Sequence, residues 1–545
     1  MSRAVGYSVG PDAAGDGELI EVDRWRAAGD VTLHNRPALA ALLAAAGDPV
    51  PDGVGDLEIL VRCFVRLGPA GLRAANGMFT VAMSRRDELV LIRDHVGART
   101  AYYAHTLRGW AVASSLRALR DRVGPGFGWR VDLPAVATFL TFAYLPGAET
   151  LVEGVAELLP GRITRLGPGG AVTSEPFWEP QERIDVDAPA RLRDALEQAT
   201  AARLPEARPV AVTLSGGVDS SLVTALAAKL HTHPVHTYSI SFGDELPNEL
   251  AYSGLVATHC GTVHRILRVD GAQVAGRLAE TVGLLDNPVG DPLTVPNLML
   301  AEAMAADGMT VALNGEGGDP VFGGPKNMPM LMFELHRDDP SPDARAEAYL
   351  RSYRKCGEDL PRLLTPQVHR AVAGAPPLRR LVQPYLEGPM TAQLNRLLHA
   401  NLRTKGAHHI LPKVERLTAA RSVQARSPLF DAGVVELAFA VPPGLKLVDG
   451  QEKWVLKQAV ADLLPDTIVY RPKSGMRVPV QQWLRGPLRD LAHDALLSRS
   501  ATDRGLLRRE VVAGWLAGRG SLHARHGAKI WLVLTLELWL RAHLG

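Results

Sequence analysis

The stretch Leu214-Ser215-Gly216-Gly217-Val218-Asp219-Ser220-Ser221 decides the fold of this chain. Residues 210–213 before it are short, apolar and β-branched, which is typical of a buried strand. Residues 222–230 after it have the composition of a helix, so the stretch joins a strand to a helix N-terminus. The glycines allow a tight turn, and the free N–H groups of a helix N-terminus bind anions. The sequence therefore predicts an anion-binding loop.

The serines and the aspartate of this loop indicate which anion it binds. The pattern Ser-Gly-Gly-x-Asp-Ser lacks the lysine of a Walker A loop, and no Gly-x-x-x-x-Gly-Lys-Ser/Thr motif occurs elsewhere in the chain. The loop resembles the pyrophosphate loop of ATP pyrophosphatases, which cleave ATP between the α and β phosphates. An ordinary strand-to-helix turn is the plainer alternative, and the two glycines, the aspartate and the serines in this setting disfavour it.

Further strands are predicted on both sides of a series of helices after the loop. Residues 235–243, 261–267 and 310–313 have strand character, and residues 249–252 and 295–305 have helix character. This alternation predicts a parallel α/β sheet whose ligand lies at the C-terminal edge of the strands. The last of these strands runs into a second glycine-rich loop, Asn314-Gly315-Glu316-Gly317-Gly318-Asp319, which carries two acids.

Composition excludes several classes of protein. A chain of 545 residues is too long for one core, and a net charge of +2 gives no sign of a large nucleic-acid footprint. The cysteines Cys63, Cys260 and Cys356 lie far apart and form no CxxC pair. The first residues form no hydrophobic signal segment, and the apolar run 530–540 is interrupted by Glu537 and is too short to cross a bilayer. We expect a cytoplasmic protein.

The N-terminal third has an α+β pattern of short strands at residues 77–83, 88–94, 102–104 and 110–113. Asn76-Gly77-Met78-Phe79 and residues 93–103 and 113–119 resemble the class II glutamine amidotransferase domain of asparagine synthetases. The resemblance covers almost the whole chain. It implies an Ntn-hydrolase-like α+β sandwich over residues 1–183. An α/β parallel-sheet ATP pyrophosphatase domain with a helical C-terminal part would follow over residues 184–545.

The glutaminase half of the resemblance is degraded. That family uses a cysteine after the initiator methionine as nucleophile and as base, and position 2 of this chain is Ser2. The family's Asn-Gly-Glu stretch, which holds glutamine, falls at residues 30–32, Asp-Val-Thr, while Asn35 is retained and Asp56 matches the acidic substrate residue. We expect a structural remnant that makes no ammonia. Ser2 as an N-terminal nucleophile is the alternative.

The synthetase half keeps the residues that the resemblance marks as functional. It implies that Glu316 takes the proton of the amine and that Lys473, in the segment 471–479, stabilises charge during transfer. It implies that Asp219 and Asp319 hold Mg²⁺. The residues that it assigns to ATP are Leu214, Ser215, Gly216, Gly217, Asp219, Ser220, Ile240, Ser241 and Gly315.

The resemblance therefore implies an ATP-dependent, AMP-forming carbon–nitrogen ligase of the asparagine-synthetase and β-lactam-synthetase type. A substrate carboxylate attacks the α-phosphate of ATP, pyrophosphate leaves, and an amine displaces AMP to form an amide. Without a working glutaminase, the amine is free ammonia or, as we prefer, an amine of a substrate. This preference points to specialised metabolism such as antibiotic biosynthesis.

Other functions stay open at this point. An intramolecular amine would give a lactam, as in β-lactam synthetases, or a macrolactam, as in lasso-peptide cyclases, and free ammonia would give asparagine. A tRNA-modifying or sulfur-transfer enzyme lacks support, because paired cysteines and a basic binding module are absent from the sequence. A non-catalytic scaffold is disfavoured by the joint retention of the loop, Glu316, Asp319 and Lys473. The expected partners are small-molecule or peptide carboxylates and amines, with no nucleic acid and no membrane, and a homodimer is left open.

Overall fold

The computed structural model describes most of the chain. The described residues are 7–8, 19–86, 88–243, 249–324, 327–335, 339, 341–353, 355–472, 476–520, 522 and 525–545. Two residues singled out from the sequence, Ser2 and Lys473, lie outside the described residues.

Strands dominate the first part of the chain, as the sequence predicts. The strands are β1 Tyr7–Ser8, β2 Ile20–Val22, β3 Trp25–Leu33, β4 Gly77–Arg85, β5 Glu88–Arg93, β6 Tyr102–Thr106, β7 Gly109–Ala113, β8 Val155–Glu157, β9 Arg162–Leu166 and β10 Val172–Pro176. The helices are α1 Arg36–Ala45, α2 Asp56–Leu67, α3 Pro69–Ala74, α4 Leu116–Val123 and α5 Leu133–Phe142. In the described ranges these strands form two sheets, with orders β10-β9-β5-β4-β3-β2 and β1-β7-β6-β8.

Both faces of strand β4 are covered, and this explains its run of buried residues. Phe79 and Val81 pack in one apolar cluster with Cys63 of α2, whereas Ala82 packs in another with Val112 of β7. Helices therefore cover one face of the larger sheet, and the smaller sheet contacts the other face. The contact between the two sheets agrees with the predicted α+β layout; the finer Ntn-hydrolase-like sandwich stays a prediction.

The second part of the chain contains the predicted parallel sheet. Its elements up to the second glycine-rich loop are α6 Ala188–Ala201, β11 Val210–Thr213, α7 Val218–Leu230, β12 Val235–Ser241, α8 Leu250–His259, β13 Val263–Arg268, α9 Gly271–Gly283, α10 Thr294–Ala306, β14 Val311–Leu313 and α11 Gly318–Phe322. With β15 Gln424–Arg426, the described strands have the order β13-β12-β11-β14-β15, and all their pairings are parallel. Strand β11 is central, with Val210 and Val212 facing one apolar cluster and Ala211 facing the other.

Helices make up most of the remainder. They are α12 Asn327–Leu335, α13 Pro342–Arg351, α14 Leu360–Leu363, α15 Pro366–Gly374, α16 Gln383–Leu386, α17 Gln393–Asn401, α18 Leu411–Ala419, α19 Ala432–Ala440, α20 Trp454–Val460, α21 Asp466–Val469, α22 Val480–Arg485, α23 Arg489–Leu496, α24 Arg499–Asp503, α25 Arg509–Leu516 and α26 His526–Leu544. A π-helical stretch, Leu402–Ile410, joins α17 to α18. A short hairpin, β16 Leu447–Val448 with β17 Gln451–Glu452, precedes α20.

The last helix is part of the core. Trp531 and Trp539 of α26 are buried, as the sequence predicts, and they belong to the cluster that also covers β11. Among the residues that the structure describes, no helix is both long and apolar enough to cross a bilayer.

Candidate active site

The C-terminal ends of neighbouring parallel strands bring the two glycine-rich loops together. Strand β11 leads into the first loop and strand β14 into the second, and these strands pair directly. Helix α7 begins at Val218, four residues earlier than the sequence predicts, so that Asp219 and Ser220 lie in its first turn. The predicted loop is therefore shorter than expected, and the N–H groups predicted to bind an anion lie next to the second loop.

The serines of the first loop hold its shape. Ser215 Oγ lies 3.0 Å from Ser220 Oγ, and the backbone N–H of Ser215 donates to Ser220 Oγ at 3.1 Å. The N–H of Gly217 donates to Ser215 Oγ at 3.3 Å, and Ser220 Oγ donates to the Gly217 carbonyl at 3.2 Å. The loop is thus pre-shaped by its own hydroxyls before any ligand binds.

The two loops approach each other so closely that glycine is required between them. A Cβ at Gly315 would lie 2.5 Å from the backbone nitrogen of Ser220, and a Cβ at Gly318 would lie 2.2 Å from Asp219 Oδ1. Real Cβ atoms do not come so near to a backbone nitrogen or a carboxylate oxygen. The glycines of the second loop therefore allow it to pack directly on the residues that the sequence assigns to ATP.

A buried lysine connects the two loops. Lys453 Nζ lies 2.5 Å from Asp219 Oδ2 of the first loop and 2.5 Å from Asp319 Oδ1 of the second, and its side chain is fully buried. Burial by itself would lower the pKa of Lys453, but the two carboxylates outweigh this effect and raise the pKa above its ordinary value. The lysine stays charged at all physiological pH values.

The backbone of Lys453 is also unusual, with a φ of 58° in the left-handed region. Such a conformation is uncommon for a residue with a side chain, and it persists where surrounding interactions impose it. The residue follows the β16–β17 hairpin and precedes α20, and its ion pairs supply those interactions.

Glu316 lies in a separate group of polar residues. Its backbone N–H donates to Asn314 Oδ1 at 3.1 Å, and the same oxygen accepts from Ser427 Oγ at 2.9 Å. Buried Lys413 lies close by and pairs with Asp291 at 2.6 Å. Burial lowers the pKa of Lys413, but Asp291 and then Glu316 raise it above its ordinary value. A carboxylate at this place therefore faces a fixed positive charge.

The described residues just before Lys473 contact the first loop. Arg471, two residues earlier, donates to the carbonyl of Gly216 at 2.9 Å and pairs with Glu249 at 2.6 Å. Its guanidinium also lies over the ring of Tyr252, 4.1 Å from the ring centre. Lys473 itself lies outside the described residues, and its role stays a prediction.

The remaining residues assigned to ATP lie at the end of β12 and of β11. Leu214 and Ser241 are buried, and Ser239 Oγ donates to the Leu214 carbonyl at 2.5 Å. Ile240 and Ser241 close β12, which ends at Ser241 and not at Gly243 as the sequence indicates. These residues lie at the C-terminal ends of the strands, next to the two loops.

The carboxylates of Asp219 and Asp319 fit a magnesium site in chemical terms. Mg²⁺ is bound in proteins by one or two carboxylates together with water and substrate phosphates. Lys453 contacts one oxygen of each carboxylate, so that its ammonium lies between the two side chains. The assignment of these two residues to Mg²⁺ stays a prediction.

Two family models match the chain. The model for asparagine synthase matches residues 191–541, and the model for a glutamine amidotransferase domain matches residues 32–178. The first match alone covers more than half of the sequence. This chain belongs to the asparagine synthase family. It is an ATP-dependent ligase of asparagine-synthetase type.

Named relatives of this asparagine synthase family member match most of its length. Glutamine-hydrolyzing asparagine synthetase 1 of Bacillus subtilis is 24% identical over 515 residues, which cover 89% of this chain and 80% of the relative. A putative glutamine-hydrolyzing asparagine synthetase of Mycobacterium tuberculosis is 28% identical over 529 residues, covering 89% and 79%. Carboxyethyl-arginine beta-lactam-synthase of Streptomyces clavuligerus is 28% identical over 454 residues, covering 82% and 72%.

In the glutamine amidotransferase-type domain of this family member, the residues at the positions compared with the glutamine site form hydrogen bonds and ion pairs with other residues of the protein. Asp30 pairs with Arg99 at 2.8 Å, and Thr32 Oγ1 accepts from Gln424 of the second domain at 3.0 Å. The retained Asn35 bridges the Ala74 carbonyl and the N–H of Asn76, at 2.8 and 2.9 Å. Asp56 pairs with Arg36 at 2.9 Å and accepts from the N–H of Leu33 at 2.9 Å. Asp30, Asn35 and Asp56 thus contact residues of their own domain, whereas Thr32 contacts the second domain.

The sequence did not single out Lys453 or Lys413 as site residues. Lys453 lies in the segment 452–457, which resembles the family, but no local pattern distinguishes it from a surface lysine. Lys413 lies in a helix, α18, without any neighbouring motif. Both lysines reach their carboxylates from distant parts of the chain, and only the folded arrangement reveals them.

Proposed function

We propose that this chain forms an amide by adenylating a substrate carboxylate and passing the acyl group to an amine that does not come from glutamine. The amide-forming, ATP-dependent ligase activity follows from its family and relatives. The observation that carries the adenylation step is the Lys453 bridge between Asp219 and Asp319, because it connects the two glycine-rich loops at the strand edge.

The first half-reaction uses the first loop and its neighbours. An oxygen of the substrate carboxylate attacks the α-phosphorus of ATP, the bond to the bridging oxygen breaks, and pyrophosphate leaves. The N–H groups at the start of α7 receive the negative charge of the leaving pyrophosphate. Lys473 stabilises charge at the α-phosphate, and the attachment of Arg471 to Gly216 supports a place for this segment beside the loop. Leu214, Ile240 and Ser241 hold the adenosine.

Asp219 and Asp319 hold Mg²⁺ in this proposal. The metal supplies charge neutralisation for the polyphosphate. Lys453 keeps both carboxylates oriented toward the first loop when the metal is absent, because an ammonium between them offsets their mutual repulsion.

The second half-reaction uses the second loop. The amine nitrogen attacks the acyl carbon, the bond to the AMP oxygen breaks, and the amine loses a proton. Glu316 accepts that proton, supported by its backbone bond to Asn314. Buried Lys413, paired with Asp291 at 2.6 Å, supplies a fixed positive charge near Glu316.

The residues at the former glutamine site support an amine from another source. Asp30 and Thr32, at the positions that hold glutamine in the family, are engaged with Arg99 and Gln424. A substrate amine, supplied by a small molecule or peptide in specialised metabolism such as antibiotic biosynthesis, is therefore the acceptor that we favour. We also expect a cytoplasmic location. Whether the protein forms a homodimer is left open.

An intramolecular amine is the second candidate. The relative from Streptomyces clavuligerus is named a beta-lactam-synthase and matches 82% of this chain. A substrate that carries both the carboxylate and the amine would then give a lactam or a macrolactam. Glu316 and Lys473 would have the same roles, and the number of substrates needed for turnover separates the two reactions.

Carboxylate-dependent exchange of labelled pyrophosphate into ATP tests the adenylation step. The Glu316→Gln variant should keep this exchange and lose amide formation, because it lacks only the base for the second step. Loss of exchange in Glu316→Gln together with unchanged folding would contradict the assigned role. Absence of exchange in the wild-type enzyme across a broad panel of carboxylates and in the presence of Mg²⁺ would favour a scaffold.

A further inference from the structure

A second buried lysine lies at the base of the hairpin that leads to Lys453. Lys446 is 1% exposed and comes directly before strand β16. Its ammonium donates to Asn395 Oδ1 at 2.5 Å and lies 5.0 Å from the ring centre of Phe439. Among the residues that the structure describes, no carboxylate lies within ion-pair distance of this ammonium. A buried ammonium with uncharged contacts is energetically costly, so its retention calls for a reason.

The hairpin connects Lys446 directly to Lys453. Strands β16 and β17 pair with each other between the two lysines, so that both lysines lie at the open end of the hairpin. The N–H of Trp454 donates to the Lys446 carbonyl at 3.2 Å, which closes this end. Lys453 then takes its left-handed conformation, and its side chain reaches both glycine-rich loops. A shift of Lys446 would therefore be passed on to the ammonium of Lys453.

Asn395 links Lys446 to the segment between the domains. Its Nδ2 donates to Glu182 Oε1 at 2.9 Å, while its Oδ1 accepts from Lys446. Glu182 also accepts from the N–H groups of Thr391 and Ala392, just before helix α17. Asn395 is buried, so both ends of its amide are bound inside the protein. The carboxylate thereby holds the amide with its oxygen toward the ammonium.

Glu182 is also the acid whose charge acts on Lys446. Burial lowers the pKa of Lys446 to about 7, and Glu182 partly offsets this effect. The other charged or titratable groups on α17, on α19 and around the hairpin are engaged elsewhere or exposed: His399 contacts Glu179, Arg396 donates to the Met390 carbonyl, Glu436 accepts from Trp178, Glu452 lies 3.8 Å from Lys457, Lys453 pairs with Asp219 and Asp319, and Asp449 is exposed. The contacts of Lys446 with the amide oxygen and with the aromatic ring are strongest when the lysine is charged.

We propose that Lys446 is a positioning residue for Lys453, and that Glu182 and Asn395 act on the active site through it. The charged ammonium fixes one end of the hairpin, and the hairpin fixes Lys453 between its two carboxylates. Loss of this charge or of its contacts lets the hairpin shift, and the two glycine-rich loops lose their alignment. This inference rests on the proposed function, which assigns the two carboxylates to the metal and phosphates of ATP.

Calorimetric titration of the full-length protein with ATP, at saturating Mg²⁺, tests the proposal at pH 6 and at pH 8.5. At pH 6, Lys446→Met should weaken ATP binding about fivefold, because the hairpin loses a charge-assisted hydrogen bond. At pH 8.5 the wild-type lysine is largely neutral, and the two proteins should differ by less than about twofold. Lys529→Met removes a lysine from an ion pair with Asp359 and is the control. It should bind ATP as the wild type does at both pH values.

Glu182→Gln gives a second readout, at a half-buried residue in the segment between the domains. Since the charge of Glu182 favours the ammonium, its removal should lower the pH at which ATP affinity falls by about 0.3–1 pH unit. An effect of Lys446→Met that is the same at both pH values, or an unchanged pH profile in Glu182→Gln, would overturn the proposal.

Pyrophosphate exchange separates this inference from the proposed function. A wild type that binds ATP but shows no exchange would contradict adenylation alone, and the ATP affinities of the variants would still decide the role of Lys446. Absence of ATP binding by the wild type at both pH values would overturn both.

Discussion

Two features of Lys453 are energetically unfavourable: its ammonium is fully buried, and its backbone is left-handed. The two carboxylates that compensate for these costs belong to separate loops. At the scale of single residues, the ammonium of Lys453 therefore organises the site, although no contact between Lys453 and the substrate is predicted. Lys453 acts as a positioning residue for Asp219 and Asp319.

Replacement of Lys453 by methionine should remove catalysis and stability together. Two half-buried carboxylates would lose their shared partner, and we expect a loss of about 1.5–3 kcal/mol of unfolding free energy. We expect pyrophosphate exchange to fall on the order of 100-fold, because the repelling carboxylates no longer hold the loop geometry. Urea unfolding and the exchange assay measure the two effects. Lys229→Met, at a partly exposed pair with Glu197, serves as the control and should change either quantity little.

A double variant separates positioning from folding at the same residue. Lys453→Met combined with Asp219→Asn removes one charge of each sign, so part of the lost stability should return. Exchange should not return, since Asp219 is a proposed magnesium ligand. A double variant that regains stability and exchange in parallel would show that Lys453 acts through folding alone.

At the scale of elements, the decisive feature is the contact between the second loop and the start of α7. The backbone of Gly315 approaches that of Ser220 so closely that no side chain fits between them. The pairing of β11 with β14 imposes this approach, because each loop follows directly from its strand. The loop geometry is thus a property of the sheet edge.

Gly315→Ala should therefore disturb the site without a change in charge. The added Cβ would lie 2.5 Å from the Ser220 nitrogen, so the two loops must separate. We expect at least a tenfold rise in the KM for ATP in the exchange assay. Gly276→Ala is the matched control, since no atom lies within 4 Å of its Cβ in helix α9. It should leave the KM unchanged and stabilise the protein by about 0.5–1 kcal/mol. A normal KM in Gly315→Ala would contradict this account of the loops.

The segment between the domains contains Glu179, whose ion pairs should make the stability of the protein depend on pH. Glu179 contacts His399 at 2.5 Å and Arg403 at 2.7 Å. Burial alone would raise the pKa of Glu179, but Arg403 and His399 together lower it to about 2. Its stabilising effect is complete above the ordinary pKa of 4.5 and is lost as the pH falls from there toward 2.

Comparison of the wild type with Glu179→Gln across this range measures the effect. At pH 7 the variant should be less stable by on the order of 3 kcal/mol, and the difference should shrink as the pH falls from 4.5 toward 2. Glu206→Gln, at an exposed glutamate, is the control for any loss of stability at low pH that does not depend on Glu179. A difference that stays constant between pH 7 and pH 2.5 would show that the charge of Glu179 has no role.

At the scale of the whole molecule, the first domain is joined to the second by buried polar contacts. Arg93 is fully buried, pairs with Glu157 at 2.8 Å and donates to the Ala407 carbonyl of the π-helical stretch at 3.1 Å. Glu157 also contacts His408 at 3.0 Å. The π-helical stretch leads into α18, which carries Lys413. The glutamine amidotransferase-type domain therefore supports the helix beside Glu316.

Arg93→Met should test whether the domains depend on each other. The change leaves Glu157 and several carbonyls buried with fewer partners, and we expect a loss of about 3–5 kcal/mol. Because the contact spans both domains, two denaturation curves should have the same midpoint. One is recorded by fluorescence, and the other records the loss of pyrophosphate exchange. Arg108→Met, on an exposed turn of the first domain, should have no effect on that midpoint. Exchange that survives unfolding of the first domain would contradict the dependence.

Much of this arrangement could be predicted from the sequence, where local patterns are strong. The strand before Leu214 and the glycine-rich loops were predictable, because each depends on neighbouring residues. The start of α7 at Val218 was not, since Asp219 and Ser220 read equally well as loop. Lys453 was not predictable either, since it reaches Asp219 across 234 residues. A partner that is distant in the sequence cannot be predicted from the residues next to a side chain.

Analysis of the nucleotide products is the most direct test of the central claim. The enzyme is incubated with ATP, Mg²⁺ and a panel of carboxylates and amines, with glutamine and ammonia as separate nitrogen donors. The account predicts equal amounts of AMP, pyrophosphate and amide when a matching carboxylate and amine are present, and no glutamate from glutamine. ADP and phosphate as products would contradict adenylation, and amide formation driven by glutamine would contradict the assignment of the first domain as a structural remnant.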